Sequence, residues 1–428
     1  MAHIVIVGGG IGGVSMAYEM REHARRTDRI TLVSDRDHFQ FTPSNPWVAV
    51  GWRAPERITL PLAEPFARKG ITFLPHALTR LDPEHSQIIL ANGETVSYDY
   101  LVIATGPELA FDEITGFGPE SVGGHTVSVC TTDHAVEAKK AFDRFIENPG
   151  PVVIGAVQGA SCFGPAYEFA FILDTELKRR RMRDRVPITF VTSEPYIGHM
   201  GLDGVGNSKG LIEAAFRERD IKWITNAKIE AFHEDGLDVV EVDEDGVDKR
   251  RVSLESRFTM MLPAFRGIAP LRGIDGLVNP RGFVLIDRHQ RNERFRNIFA
   301  VGVCVAIPPV GKTPIPVGVP KTGFMIESMV SATARNIRQL LDGQDPRHEA
   351  TWNAICLADF GDTGMAFLAM PQIPPRNVSW TGAGKWVHLA KIGFEKYFLR
   401  KVKRGQTVPL YERLVLDLLG AHKIRENA

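Results

Sequence analysis

Four cysteines in 428 residues are few, and Cys130, Cys162, Cys304 and Cys356 stand far apart with no CxxC pair among them. That spacing argues against a zinc site, and a chain of this size needs no disulfide framework. Lys plus Arg (51) equals Asp plus Glu (51), so there is no net charge to argue for nucleic acid, and any basic surface must be a local concentration. No uninterrupted run of about 18 apolar residues occurs, so no spanning helix is expected. The first apolar strand starts almost at Met1, which leaves no room for a cleavable secretory signal. With 44% hydrophobic and 24% charged residues, the chain reads as an ordinary folded protein able to form two or three cores. Taken singly, each cysteine is most simply a buried core thiol.

What is present begins with glycine. The strand His3-Ile4-Val5-Ile6-Val7 runs into Gly8-Gly9-Gly10-Ile11-Gly12-Gly13 and then into a helical segment around Ser15 to Arg25. In G-x-G-x-x-G, Gly8 permits the tight turn, Gly10 lets backbone N–H groups approach a pyrophosphate, and Gly13 lets helix and strand pack closely. The positive end of the helix dipole adds to this anion site. A second strand, Arg29 to Val33, ends in Ser34-Asp35, and either residue could meet a ribose. Tyr98 to Gly106 and Arg296 to Gly302 read as two further strands ending in small-residue turns, with Thr105 and Gly106 at the first turn and Gly302 at the second. Three such segments in this order resemble the FAD contacts of two-dinucleotide-fold flavoproteins such as the disulfide reductases. In that superfamily the last motif ends Gly-Asp, whereas Val303 follows Gly302 here, so a backbone contact is expected in place of the carboxylate.

Pro151 to Cys162 repeats the strand, turn and helix start in damaged form. Val157 stands where a second glycine would admit a pyrophosphate, which speaks against tight NAD(P)H binding. Cys162 is expected in the first turn of the following helix, which runs to about Lys178, where the helix dipole would favour a thiolate. The competing reading of Cys162 is a small hydrophobe that packs the loop.

Several stretches resemble sulfide:quinone oxidoreductases of the bacterial, membrane-peripheral kind, and together they span nearly the whole chain. They include Phe39 to Trp47, Gly155 to Tyr167 with its Ala160-Ser161-Cys162-Phe163-Gly164-Pro165 centre, and Ser193 to His199. Further on come Ile307-Pro308-Pro309, Pro320 to Glu327, Trp352 to Cys356 and Phe394 to Phe398. The resemblance implies that Cys162 and Cys356 form the redox-active pair, linked directly or through bridging sulfur, with Cys130 as a third cysteine on the substrate side. Cys304 has no place in that pattern and reads as structural. Glu168 is the implied acid/base group, and His134 and His199 are candidates for proton transfer near neutral pH. Lys321 joins the FAD contacts. The implied reaction is attack of hydrosulfide on the cysteine bridge, transfer of two electrons to FAD and on to a quinone, and departure of the sulfur as polysulfide. No metal is implied.

Toward the C-terminus, Trp386, Leu389, Ala390, Gly393, Phe394 and Tyr397 fall at three- and four-residue steps and share a helical face. Lys385, Lys391, Lys396, Arg400, Lys401, Lys403 and Arg404 are expected to crowd around it. A second amphipathic segment, Tyr411 to Leu419, repeats the design with Leu414, Val415, Leu418 and Leu419. The pair reads as helices lying in the headgroup region of a bilayer, with no nucleic-acid role. By resemblance, Phe394 and Tyr411 would line a quinone pocket, and Lys391 or Lys312 would hydrogen-bond a quinone oxygen.

The expected architecture is α/β, with two tandem Rossmann-like domains and a C-terminal amphipathic-helix membrane region. Residues 1–112 and 265–335 would form a discontinuous FAD domain, 113–264 the second Rossmann-like domain and 336–428 the quinone and membrane region. The expected partners are sulfide, a membrane quinone and a lipid surface, at the cell membrane, with homo-oligomer formation left open. The rivals are a type II NADH:quinone dehydrogenase, which needs an intact second glycine loop and no cysteines, a flavocytochrome-type sulfide dehydrogenase, and a non-catalytic membrane-associated flavoprotein sensor.

Overall fold

The computed structural model describes residues 1–119, 125–408, 412–413, 416–417 and 419–425. Its first sheet is parallel and five-stranded, in the order Ile298–Ala300, Tyr100–Ile103, His3–Val7, Arg29–Val33, Thr72–Leu74. These are near-continuous apolar runs, the pattern of strands covered on both faces. The strand at 298–300 crosses back to lie beside 100–103, so both small-residue turns seen in the sequence end next to the first glycine loop. The helix after that loop, Ile11–His23, packs against a long helix, Gly323–Leu341.

The second parallel sheet runs Ile221–Ile224, Ile188–Thr192, Val152–Ala156, Phe258–Leu262, flanked by the antiparallel strands Ala227–His233, Gly236–Val242 and Asp248–Glu255. The helix Gly164–Arg179 follows its central strand. A third, antiparallel sheet is built from Ala354–Asp359, Gly364–Met370 and Val378–Ala383. Its first strand contacts the 164–179, 323–341 and C-terminal helices, so residues of three helices converge on Cys356 and its neighbours.

The C-terminal helix, Lys385–Arg404, buries Val387, Phe398 and Val402 as an ordinary surface helix does, but it also buries charge and exposes large apolar side chains. Leu389 is 67% exposed, Trp386 49% and Phe394 39%, while Lys391, Glu395 and Lys401 are buried. The expected crowd of bases around the apolar face is therefore thinner than the sequence implied, because Lys391 and Lys401 turn inward to carboxylate partners. Lys401 meets Glu327 at 2.6 Å. The helix is anchored further by Tyr18, whose hydroxyl donates to the Val402 carbonyl at 2.9 Å. Gly405, with φ at 61°, ends it in the left-handed region that favours glycine. Among the described residues, no helix is long and apolar enough to cross a membrane. Tyr411, Leu414, Val415 and Leu418 of the second amphipathic segment lie outside the described residues.

Candidate active site

The first glycine loop has the shape of a dinucleotide cradle. Gly8 has φ of 123°, and a Cβ there would lie 2.2 Å from the Ala104 carbonyl oxygen. A Cβ at Gly13 would lie 1.8 Å from the Gly8 oxygen, so both positions exclude any side chain. Gly10 is the opposite case, with open space beside it, at the start of the 11–23 helix. No acidic residue occupies that helix's first turn and no side chain caps it, which leaves its N–H groups for an anion. Ser34 is buried at the strand end against Gly9, and Asp35 beside it is exposed. Thr105 and Gly106 stand at the end of the 100–103 strand, and Gly302 opens the neighbouring turn with φ of 85°. Cys304 lies beneath these turns, fully buried, with its thiol donating to the carbonyls of Ile103 and Val301 at 3.3 Å each. Such a thiol fastens two strand ends together.

The second glycine loop is filled by the protein itself. The Gln158 side chain makes two hydrogen bonds to the Ile229 backbone, at 2.9 and 3.0 Å. The Gly159 N–H donates to the Pro316 carbonyl at 3.1 Å, and the Gly318 N–H to the Ala160 carbonyl at 2.9 Å. The stretch from 316 to 318 thus lies along the turn where a pyrophosphate would need free backbone N–H groups. It leads directly into Lys321 and the 323–341 helix.

Cys162 corrects the sequence reading. The helix starts at Gly164 with Phe163 as its N-cap, so Cys162 sits in the loop before it rather than in its first turn. Its thiol is not acidified: burial pushes it up to about 12, with Cys130 and Glu168 adding to the rise and Lys321 opposing it. Burial likewise pushes Cys356 up to about 12, with Cys162 and Glu168 raising it further and Lys391 opposing. Cys130 is pushed up to about 11 by burial, against a hydrogen bond involving Ser128. All three are unlinked thiols in this structure, each partly accessible. Cys130 acts on Cys162 and Cys162 acts on Cys356, so three thiols remote in sequence lie near one another. Lys321 is itself pushed down to about 8 by burial, against the pull of Cys304 and Cys162.

Glu168 lies beside the latter two cysteines. Its carboxylate accepts from the Asp359 backbone N–H at 2.7 Å and forms a buried ion pair with Lys391. Burial holds its carboxyl above the ordinary range, more than Lys391 and the N–H bring it down. Lys391, which with Lys312 the resemblance offers for a quinone oxygen, pairs with Glu168 and holds its ammonium over the Trp47 ring at 5.5 Å. Phe394 meets Phe41 and Phe398 at ring distances of 5.9 Å, so its inner edge joins an aromatic cluster while its outer edge is exposed. Lys312 is exposed in the loop before the 323–341 helix. His134 is buried in the first turn of the helix Thr132–Glu147, one turn after Cys130. His199 is buried in the 193–206 loop; burial lowers its pKa, and Asp203, not a cysteine, is the charged group acting on it. The sequence reading missed Asp359, His388 and Trp47, which complete the environment of Glu168 and Lys391. Among the described residues, no group of three or more His, Cys, Asp or Glu could hold a metal ion.

The model of the pyridine nucleotide-disulphide oxidoreductase family matches residues 2–325. The sulfide-quinone reductase of Aquifex aeolicus is 44% identical over 99% of this chain and 96% of its own length. The X-ray structure of the Aquifex aeolicus sulfide:quinone oxidoreductase superposes with a TM-score of 0.94 at 43% identity, covering 99% of this chain and 97% of that one. The NDH2 of Plasmodium falciparum, solved in complex with NADH, shares the fold alone, with a TM-score of 0.71 at 14% identity over 99% of this chain and 100% of that one. The likeness to the Aquifex protein extends over nearly the whole chain. The chain belongs to the sulfide-quinone reductase family of the pyridine nucleotide-disulphide oxidoreductases.

Proposed function

We propose that this protein is a flavin-dependent enzyme that oxidises sulfide and reduces a membrane quinone, using FAD and the Cys162 and Cys356 pair. The observation that carries this reading is the cluster of three partly accessible thiols near a buried Glu168–Lys391 pair. The Gly8–Gly13 cradle would hold the FAD pyrophosphate, with Ser34 at the ribose and Thr105, Gly106, Gly302 and Lys321 along the rest of the cofactor. When bound, the flavin accepts two electrons from the sulfur side and passes them to the quinone.

The reactive form of the pair is the oxidised one. Hydrosulfide attacks the bridge between Cys162 and Cys356; a new S–S bond forms, the bridging bond breaks, and one cysteine leaves as thiolate. Burial makes that thiolate costly, and Lys321 beside Cys162 and Lys391 beside Cys356 offset part of the cost. In this reading Cys130 would receive a growing sulfur chain, and Glu168 would take the persulfide proton. His134 and His199 are further proton acceptors in this reading. Phe394, Tyr411 and Lys312 would border the quinone, with Lys391 behind them. The division of the chain at 112, 264 and 335 follows the same reading, with the last part serving the quinone and membrane.

Sulfide added anaerobically to the flavin-loaded protein is expected to bleach the flavin absorbance within the mixing period, and a soluble quinone analogue to restore it. NADH at the same concentration should bleach it at least a hundredfold more slowly, because the 316–318 stretch would have to leave the second loop first. Rapid bleaching by NADH would favour the dehydrogenase, and no bleaching by either donor would return a sensor to consideration.

Peripheral attachment to the cell membrane rests on the outward apolar side chains. Trp380, Trp386, Leu389 and Phe394 are exposed on the 378–383 strand and the C-terminal helix, a grouping suited to insertion into the headgroup layer. The double variant Trp386→Ser, Leu389→Ser is expected to lower partition into anionic vesicles at least tenfold, about 1.4 kcal/mol. Co-sedimentation measures it, and unchanged binding would remove this face from the membrane contact.

A further inference from the structure

Asp359, Lys391 and His388 make one electrical unit with Glu168. The Asp359 carboxylate is fully buried and accepts from the Trp47 indole N–H at 2.6 Å, the Gly361 N–H at 3.0 Å and the His388 Nδ1 at 2.8 Å. Asp359 also raises the affinity of Glu168 for a proton, so the two carboxyls feel each other. Lys391 is one cation for these two carboxylates. Arg53 stacks on Trp47 at 4.4 Å but is committed to Glu395 at 3.0 Å. Of the other charged groups on the packed elements, Asp174 pairs with Lys178 and Arg183, Glu176 with Arg180 and Asp362 with Arg219, while Arg179 lies over the Trp52 ring and Lys396, Arg400, Lys403 and Arg404 are exposed. Cys356 and Cys162 are the remaining titratable neighbours, and Lys385 is exposed on the same helix.

With both carboxyls ionised and only Lys391 to balance them, the buried unit is one positive charge short, a deficit that low-dielectric surroundings do not tolerate. One proton closes it, either on the His388 imidazole or on a carboxyl. Only His388 reaches solvent, with 23% of its side chain exposed.

We infer that Asp359, Glu168, Lys391 and His388 hold one shared proton, that His388 is its port to solvent, and that the unit balances charge during sulfide oxidation. The inference rests on the reading of the cysteine pair given above. Attack of hydrosulfide on the bridge leaves a thiolate, one new anion in the pocket, and the unit takes up one proton from solvent through His388. The thiolate and the persulfide then join to enclose the sulfur atom between the two cysteines. Two electrons depart for the bound flavin as the persulfide proton is released, and the proton taken up returns to solvent. His388 is on this view a positioning residue for charge and does not touch substrate.

The test uses flavin-loaded protein and two readouts. Infrared spectroscopy across pH follows the carboxyl stretch of a buried protonated acid and needs no sulfide. Stopped-flow bleaching by sulfide across pH follows the chemistry. In His388→Gln the carboxyl must hold the proton alone, so both the infrared titration and the acid limb of the bleaching profile are expected to move up by at least one pH unit. At a pH on that limb the rate then falls about tenfold. Asp359→Asn removes the excess negative charge, and the double variant His388→Gln, Asp359→Asn is expected to bring both curves back toward wild type, a rescue that a purely structural histidine would not show. An infrared titration unmoved in His388→Gln, or a double variant no nearer to wild type than the single one, overturns the inference. Should sulfide fail to bleach even the wild type, the reading of the cysteine pair falls while the infrared titration still decides the shared proton.

Discussion

Cys356→Ser is expected to purify yellow, with its flavin bound, and to remain yellow when sulfide is added. The flavin contacts proposed above, residues 8–13, 34–35, 105–106, 302 and 321, do not include Cys356, so cofactor content should be unchanged. Serine cannot form the sulfur bridge that hydrosulfide attacks, and bleaching should slow by on the order of a thousandfold or more. Cys162→Ser should behave alike, since Cys162 is the other half of the proposed bridge and acts on Cys356. Cys304→Ser is the contrast: its hydroxyl can still donate to Ile103 and Val301, and bleaching by sulfide should stay within a fewfold of wild type. Stopped-flow absorbance on the three variants settles the matter. Normal bleaching of Cys356→Ser would remove the cysteine-pair mechanism.

Lys391→Met carries the largest expected effect on stability. It leaves the buried Glu168 carboxylate with the Asp359 N–H and no cation, and stranding one member of a buried pair costs about 3–5 kcal/mol. The pH dependence has a definite sign. Burial already holds the Glu168 carboxyl above its ordinary value, so the folded state keeps its proton longer than the unfolded chain does. A raised carboxyl gives stability that is fully present below the ordinary carboxyl value and lost as pH rises through the folded value. Removing Lys391 raises the folded value further, so the deficit relative to wild type should be smallest in acid and grow toward neutral pH. Urea unfolding of the flavin-loaded protein at several pH values measures it. The double variant Glu168→Gln, Lys391→Met should recover most of the loss, and a deficit independent of pH would show that the lysine's packing, not its charge, matters.

The glycine loops were legible because their requirement is local. A Cβ at Gly8 or Gly13 collides with backbone whatever else the chain does, and Val157 in the second loop marks the departure from the glycine pattern in one residue. The start of the helix after Cys162 was read too early, although Gly164-Pro165 carried the signal, since proline favours the first positions of a helix. The thiol chemistry erred with it: a dipole argument assumes an exposed first turn, and burial outweighs it here. The inward face of the C-terminal helix was the hardest to see. His388, Lys391, Glu395, Phe398 and Val402 recur at steps of three and four, the same period as the apolar stripe, but a stripe holding charges resembles a solvated face until its partners appear. Those partners, Glu168, Asp359 and Arg53, come from three distant segments, and no local pattern announces them.

The stretch from 316 to 318 has a consequence for the choice of electron donor. Its backbone occupies the turn that would receive a nicotinamide dinucleotide, and the same ribbon continues without a break to Lys321, the cation acting on Cys162. On the proposed reading, one ribbon thus serves both the closed second loop and the charge beside the sulfur site, and a change that loosened it is expected to disturb the two together.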